Sequence, residues 1–275
     1  MTTQPAHGGG DELAAEAATV AETRQALIDR TNRVFTPLAK SFIQNPDRGA
    51  TDRRSSLATF VNNGDQRGLL AFLMTHTAIS SGHKGWDTTL HLAVWARAFG
   101  TTQHATPASA KSAASKILSR LEERHLIERQ QSGRPKRVKV TLLAPDGSGE
   151  PYTRPRGENS ATRFIRLSHR FWTDGWDEEL SLAATAMLLV ALHEKPSFAL
   201  ATEHMPQWYG WSADTAERGL RELKDKNLLT VTQRSRTEPL SPTGRSIFNE
   251  YALRAPFDAA TLNADTAAAG PRSRR

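Results

Sequence analysis

One spacing, small-x-x-x-Leu-x-x-Leu-x-x-x-x-Leu-aliphatic, occurs twice in this chain and constrains its fold more than any other feature. Ala114, Leu118, Leu121, Leu126 and Ile127 align without a gap on Ala216, Leu220, Leu223, Leu228 and Leu229, and Lys116 falls on Arg218. The first three positions make one stripe of a helix, and the last two open a different element, so the match predicts a duplicated unit in which a helix feeds a strand. With 275 residues, 38% of them hydrophobic, the chain has room for two small domains with extensions.

The surroundings of each copy agree. In the first half, a helix is expected from Asp65 to Ser80, with Leu69, Leu70, Phe72, Leu73 and Met74 on its apolar face, and a second from Thr88 to Phe99, stopped by Gly100. A third runs through His125 on the stripe Ala110, Ala114, Ile117, Leu118 and Leu121. The period then changes to two: Ile127 leads a strand, Ser132-Gly133-Arg134-Pro135 makes a turn, and Val138, Val140 and Leu142 alternate with Lys139 and Thr141. In the second half, Phe164 to Trp176 is an aromatic entry segment, followed by helices over Leu182 to Leu192 and Thr202 to Tyr209, the latter ended by Gly210. Ser212 or Asp214 caps a third helix running to Asn227. Leu228, Leu229 and Val231 start a strand, Arg234 to Arg245 reads as a loop, and Ile247, Phe248, Tyr251 and Leu253 lead a returning strand.

Residues 1–10, ending in a Gly triplet, read as a disordered leader. From Asp11 to Ile43, Leu13, Ala17, Val20, Leu27, Val34 and Leu38 predict a long amphipathic helix broken near Pro37, which either packs on its own domain or serves as a dimerisation arm. The expected domains are therefore an N-terminal helix and linker (11–56), a first module (57–143), a Pro/Gly-rich linker (144–162), a second module (163–256) and a flexible tail (257–275). The expected fold class is mainly α with small β-hairpin wings.

Charge is concentrated in one place. Thr101 to Leu143 carries nine basic and three acidic residues, nearly all of the chain's net +7, whereas Glu203 to Tyr251 carries seven of each. A local positive field favours a polyanion, because each neutralised phosphate releases condensed counterions. A solvated charged face is the alternative.

The string Trp208-Tyr209-Gly210-Trp211-Ser212-Ala213-Asp214-Thr215-Ala216-Glu217-Arg218-Gly219-Leu220-Arg221-Glu222-Leu223 resembles the turn and recognition helix of the winged helix-turn-helix superfamily of bacterial regulators. Ser109 to Ile127 is similar but has a longer turn, Thr101 to Thr106. The resemblance covers residues 65–143 and 164–254. It implies two tandem winged helix-turn-helix modules plus an N-terminal helix, with double-stranded DNA as partner. In module one it puts Ala108, Ser109, Lys111, Ser112 and Ser115 at base edges, and Lys116, Arg120, Lys136, Arg137 and Lys139 on phosphates. The wing tip Gly133-Arg134-Pro135-Lys136-Arg137 is similar to an AT-hook core, in which an extended arginine lies in a narrow minor groove. In module two the contacts implied are Ser212, Thr215, Arg218, Arg221, Arg234 and Arg236, although a neutral copy of the fold serves equally well for dimerisation or partner binding.

Biological role stays open at this level: a transcriptional regulator occupying an operator as a homodimer, a plasmid or phage replication initiator gripping one repeat as a monomer, or a protein-interaction scaffold. An enzyme is not expected. His76, His83 and His91 lack metal-ligand helical spacing, Ser81-Gly82-His83-Lys84 matches Ser-x-x-Lys without the elements that accompany it, and no phosphate loop or nucleophile elbow occurs. No cofactor is implied. With no cysteine and no apolar run long enough to span a bilayer, a cytoplasmic location and no membrane partner are expected. Six tryptophans (Trp86, Trp95, Trp172, Trp176, Trp208, Trp211) are read as core rather than as stacking platforms for unpaired bases.

Overall fold

In a computed structural model that describes residues 16–47, 49–50, 53, 55–80, 85–159 and 162–270, the repeated string occupies the same structural position twice. The first half contains α1 (Val20–Asp29), β1 (Phe35–Ala39), α2 (Ser56–Asn62), α3 (Gln66–Ile79), β2 (Asp87–His91), α4 (Leu92–Ala98), α5 (Pro107–Glu123), β3 (Ile127–Ser132) and β4 (Arg137–Leu142). The second contains β5 (Phe164–Ser168), α6 (Arg170–Thr173), α7 (Trp176–Glu179), α8 (Leu182–His193), β6 (Phe198–Ala199), α9 (Met205–Trp208), α10 (Ala213–Asp225), β7 (Leu229–Thr237), β8 (Arg245–Leu253) and α11 (Ala259–Ala269). From α3 to β4 and again from α8 to β8, the order is helix, strand, helix, helix, strand, strand. In each case the first strand pairs antiparallel with the last, giving sheet orders β2-β4-β3 and β6-β8-β7.

The expectation of a mainly α fold with small β-hairpin wings is not met. The described residues are 44% helical and 20% strand, with three small antiparallel sheets. The missed strands explain the difference. Thr88-Thr89-Leu90-His91, expected as the start of a helix, belongs with Asp87 to the edge strand β2. Leu90 and Val94, four residues apart, mimic a helical stripe, because strand and helix meet at His91 with no turn between them. The third sheet pairs residues 125 to 133 positions apart: Phe35 to Ala39 pairs with Phe164 to Ser168, and Pro37, expected to break a helix, sits within β1. Among the described residues, the helix expected over Asp11 to Ile43 runs from Val20 to Asp29; its start is fixed by a capping box in which Thr19 Oγ1 accepts from Glu22 N and the Glu22 carboxylate accepts from Thr19 N. Residues 1–10, 11–15 and the Ser81 to Lys84 loop lie outside the described residues.

One core runs through both halves. Helix α8 is apolar on all sides, with Ala184 to Ala191 buried without interruption, and it packs against α2, α10, β5 and β8. Its approach to α10 is close: a Cβ on Gly219 would lie 2.4 Å from the Ala183 carbonyl oxygen. Helix α1 buries Leu27 and Ile28 and packs on α3, α4 and α6, so the face available for a dimerisation arm is covered by its own chain. Polar ties also join the halves: Gln44 Nε2, Asn62 Nδ2 and Gln66 Nε2 donate to the carbonyls of Trp208, Gly210 and Leu180, each at 2.9 Å. The Pro/Gly-rich stretch is anchored too, since buried Tyr152 packs edge-on against His76 and Trp86. The expected tail contains α11, whose Asp265 pairs with Arg170 at 2.9 Å. Trp95, Trp172 and Trp211 are buried, and Trp86, Trp176 and Trp208 pack against the same core. Among the described residues no helix is long and apolar enough to cross a membrane.

His76 ties α3 to β1. Its Nε2 donates to the Pro37 carbonyl at 3.1 Å, and its Nδ1 has no partner among the described residues. Burial lowers its pKa to about 4, against a partial rise from the bond to Pro37. The unfolded chain therefore takes up this proton first. Stability is complete above about pH 6.5 and declines as pH falls toward 4. The urea midpoint is expected to be lower at pH 5 than at pH 7.5, and His76→Gln, which retains a donor for Pro37, is expected to narrow that gap. An unchanged gap would assign the acid loss to other groups.

Candidate nucleic-acid interface

Helix α5 begins where Thr106 Oγ1 accepts from Ser109 N at 3.3 Å and Pro107 occupies the first turn, which needs no N–H there. Gly100, at φ +69°, ends the preceding helix, and the buried Thr101 hydroxyl lies 2.9 Å from the Ala96 and Ala110 carbonyls, bonding the long turn to both helices. With Ala110, Ala114, Ile117, Leu118 and Leu121 buried, the helix turns Ser109, Lys111, Ser112 and Lys116 to solvent and leaves Ser115 half-exposed. The Ser115 carbonyl accepts from Arg129 Nη1 at 3.2 Å, and Arg129 Nε is paired with Glu122 at 2.6 Å.

The β3–β4 hairpin stands beside this helix. Its tip is held by the Leu92 N–H, which donates to the Lys136 carbonyl at 2.9 Å, and Lys111 and Lys136 line one groove of about 430 Å³ floored by Leu92, Ala93 and Val94. Arg134, Lys136 and Arg137 are exposed, and no carboxylate lies within ion-pair distance of them, of Lys111 or of Lys116 among the described residues. Lys139 differs: it is half-buried and 3.4 Å from Asp87 on the neighbouring strand.

Arg120 also departs from its expected role. It donates from Nη2 to Asp65 at 3.0 Å, and Arg124 reaches the other oxygen of that carboxylate at 2.9 Å while lying over the Phe60 ring. Burial works to raise the Asp65 pKa, but the hydrogen bonds from Arg120 and Gly68 N, with the two guanidinium charges, outweigh it and hold the carboxyl below its usual range. Asp65 caps α3, so this cluster fixes α5 against α3. Asp65 and Arg124 were missed from sequence; the cap was legible, the partners 55 and 59 residues away were not.

The second half offers less free charge. Ser212 caps α10 by accepting from Thr215 N, and its hydroxyl is 2.9 Å from that of Thr215, so both are engaged in the helix start. Arg218 pairs with Asp214 and Arg234 with Glu250, each at 3.1 Å, and Arg236 Nε donates to Ser246 Oγ at 3.0 Å. Arg221 is exposed and has no ion pair among the described residues. The segment Arg234 to Arg245, expected as a loop, is mostly ladder: β7 and β8 pair through Thr237 and Arg245, leaving only residues 238–244 as a turn. His76 and His91 are not brought together, one being buried on α3 and the other exposed at the end of β2. Comparison with family models, with curated proteins and with solved structures gave no match to the chain.

Proposed function

We propose that this chain is a sequence-specific double-stranded DNA-binding protein, acting as a transcriptional regulator, that holds its site chiefly through α5 and the β3–β4 hairpin. The observation that carries this is the set of five exposed cations without acidic partners among the described residues, Lys111, Lys116, Arg134, Lys136 and Arg137, on one helix and the hairpin beside it. The element order common to both halves supports the resemblance to the winged helix-turn-helix superfamily, in which such a helix enters the major groove and the hairpin lies along the backbone. A second role, plasmid or phage replication initiation, is favoured by one feature: the shared core carries α5 and α10 as one body, which suits a single chain gripping one repeat with both halves. Direct repeats in a footprint would select the initiator, an inverted repeat the regulator.

The test is binding to mixed-sequence duplex DNA across a salt series. Five phosphate contacts give an expected slope of log K against log salt of about −4.5. Exchanging Arg134 and Lys136 for alanine should weaken binding about tenfold or more and flatten the slope by about 2, whereas the same change at the paired Arg234 and Arg236 should cost far less. No binding at low salt would overturn the proposal.

A further inference from the structure

The β7–β8 hairpin is paired over nine registers, from Leu229↔Leu253 to Thr237↔Arg245. Its base packs on the body through Leu229 and Tyr251, but β7 from Thr232 to Thr237 is exposed, so most of the ladder projects into solvent. The projecting tip is nonetheless ordered by bonds of its own. Glu238 N donates to the Gly244 carbonyl and Ser241 N to the Glu238 carbonyl, each at 2.9 Å, and the Ser241 and Thr243 hydroxyls both donate to the Arg245 carbonyl. At its apex Leu240, between Pro239 and Pro242, is 100% exposed. Leu240 and Ile247 are the large hydrophobic side chains exposed among the described residues, and both belong to this hairpin.

With Arg234 paired to Glu250, the stem of the hairpin offers Arg236 and Arg245 against the single carboxylate of Glu238. An apolar side chain held wholly in water at the end of a stiff stem does nothing for the fold. It fits a partner that is apolar at its centre and anionic at its rim, which describes the base stack of a duplex between its phosphates. The minor groove, about 6 Å wide, admits a single side chain from a narrow turn and excludes a helix. Arg236 and Arg245 lie on the two strands immediately below the tip, where the phosphates on either side would be.

We infer that Leu240 is a wedge: the β7–β8 tip enters the minor groove, inserts Leu240 between adjacent base pairs and kinks the duplex. This rests on the DNA-binding proposal and adds to it a function for the neutral second half.

The test uses the full chain and duplexes of about 30 base pairs, rich in flexible TA steps, labelled at both ends for energy transfer, with affinity read separately by anisotropy. The wild-type chain should shorten the end-to-end distance. Leu240→Ser should bind with less than about threefold loss and abolish the shortening, while Leu240→Met, which keeps an apolar wedge, should restore it. Binding without bending, or bending unchanged in Leu240→Ser, overturns the wedge and leaves the DNA-binding proposal standing; no binding overturns both. Loss of self-association in Leu240→Ser with bending intact would assign the tip to protein contact instead.

Discussion

Arg24→Ala is expected to destabilise the chain by about 3–5 kcal/mol at pH 8, the cost of leaving a buried carboxylate without its counter-charge. The Arg24 guanidinium is enclosed where α1 meets both halves. Its Nη1 lies 2.6 Å from Asp177 and 3.2 Å from Glu178, its Nε donates to the Ala98 carbonyl at 3.0 Å, and it lies over the Trp172 ring. The Asp177 side chain is 1% exposed. Burial, with Glu178 adding to it, outweighs the pull of Arg24 and leaves the carboxyl raised to about 6. Without Arg24 the folded-state pKa climbs further above the unfolded value. A raised carboxyl contributes stability that is complete below the unfolded pKa and lost as pH rises through the folded one, so the damage should be smaller at pH 5, where Asp177 takes a proton, than at pH 8. Urea unfolding of both chains at the two pH values measures this directly. A loss below about 1 kcal/mol at pH 8 would mean that water reaches Asp177 and that the pair is the equivalent of a surface one.

Gly219→Ala reverses the sign that helix propensity assigns it. In an exposed helix interior the exchange gains about 1 kcal/mol. Here the added methyl would lie 2.4 Å from the Ala183 carbonyl oxygen and 2.7 Å from Met187 Cγ, and the first of these is helix backbone that cannot move aside alone. The expected result is a net loss of about 2 kcal/mol, with Gly219→Val worse, since overpacking a close helix contact forces backbone shifts. Thermal unfolding decides it: a melting temperature equal to or above that of the parent chain would show that α8 and α10 separate at little cost. The corresponding position in the first copy of the repeat is Ile117, buried between its own helices. The two copies thus share a plan and differ in how closely their helices approach.

Much of the local structure was legible because short-range chemistry decides it. The stripe from Ala110 to Leu121 places α5, the alternation of Val138, Val140 and Leu142 places β4, Gly100 and Gly210 each follow the helix they were expected to stop, and Ser212 is the cap at α10. The candidate interface was legible to the same extent. Lys111, Ser112, Lys116, Arg134, Lys136 and Arg137 are exposed where the pattern put them, because a helix face and a hairpin tip follow from periodicity alone. Arg120, Lys139 and Arg234 were chosen by the same rule, but each has a carboxylate beside it that spacing did not reveal, while Arg218 is paired with Asp214 one helical turn away.

By itself, the sequence determined that a helix-into-strand unit is repeated, that glycines follow the helices before it, and that positive charge is concentrated in the first copy. Only the tertiary structure decided that β1 pairs with β5, that β2 and β6 close the two sheets, that both halves share one core around α8, and which cations remain free. The reason is range. Periodicity, caps and turns act over a few residues and are written in consecutive letters, whereas edge-strand pairing and ion pairing join groups brought together only when the chain closes on itself.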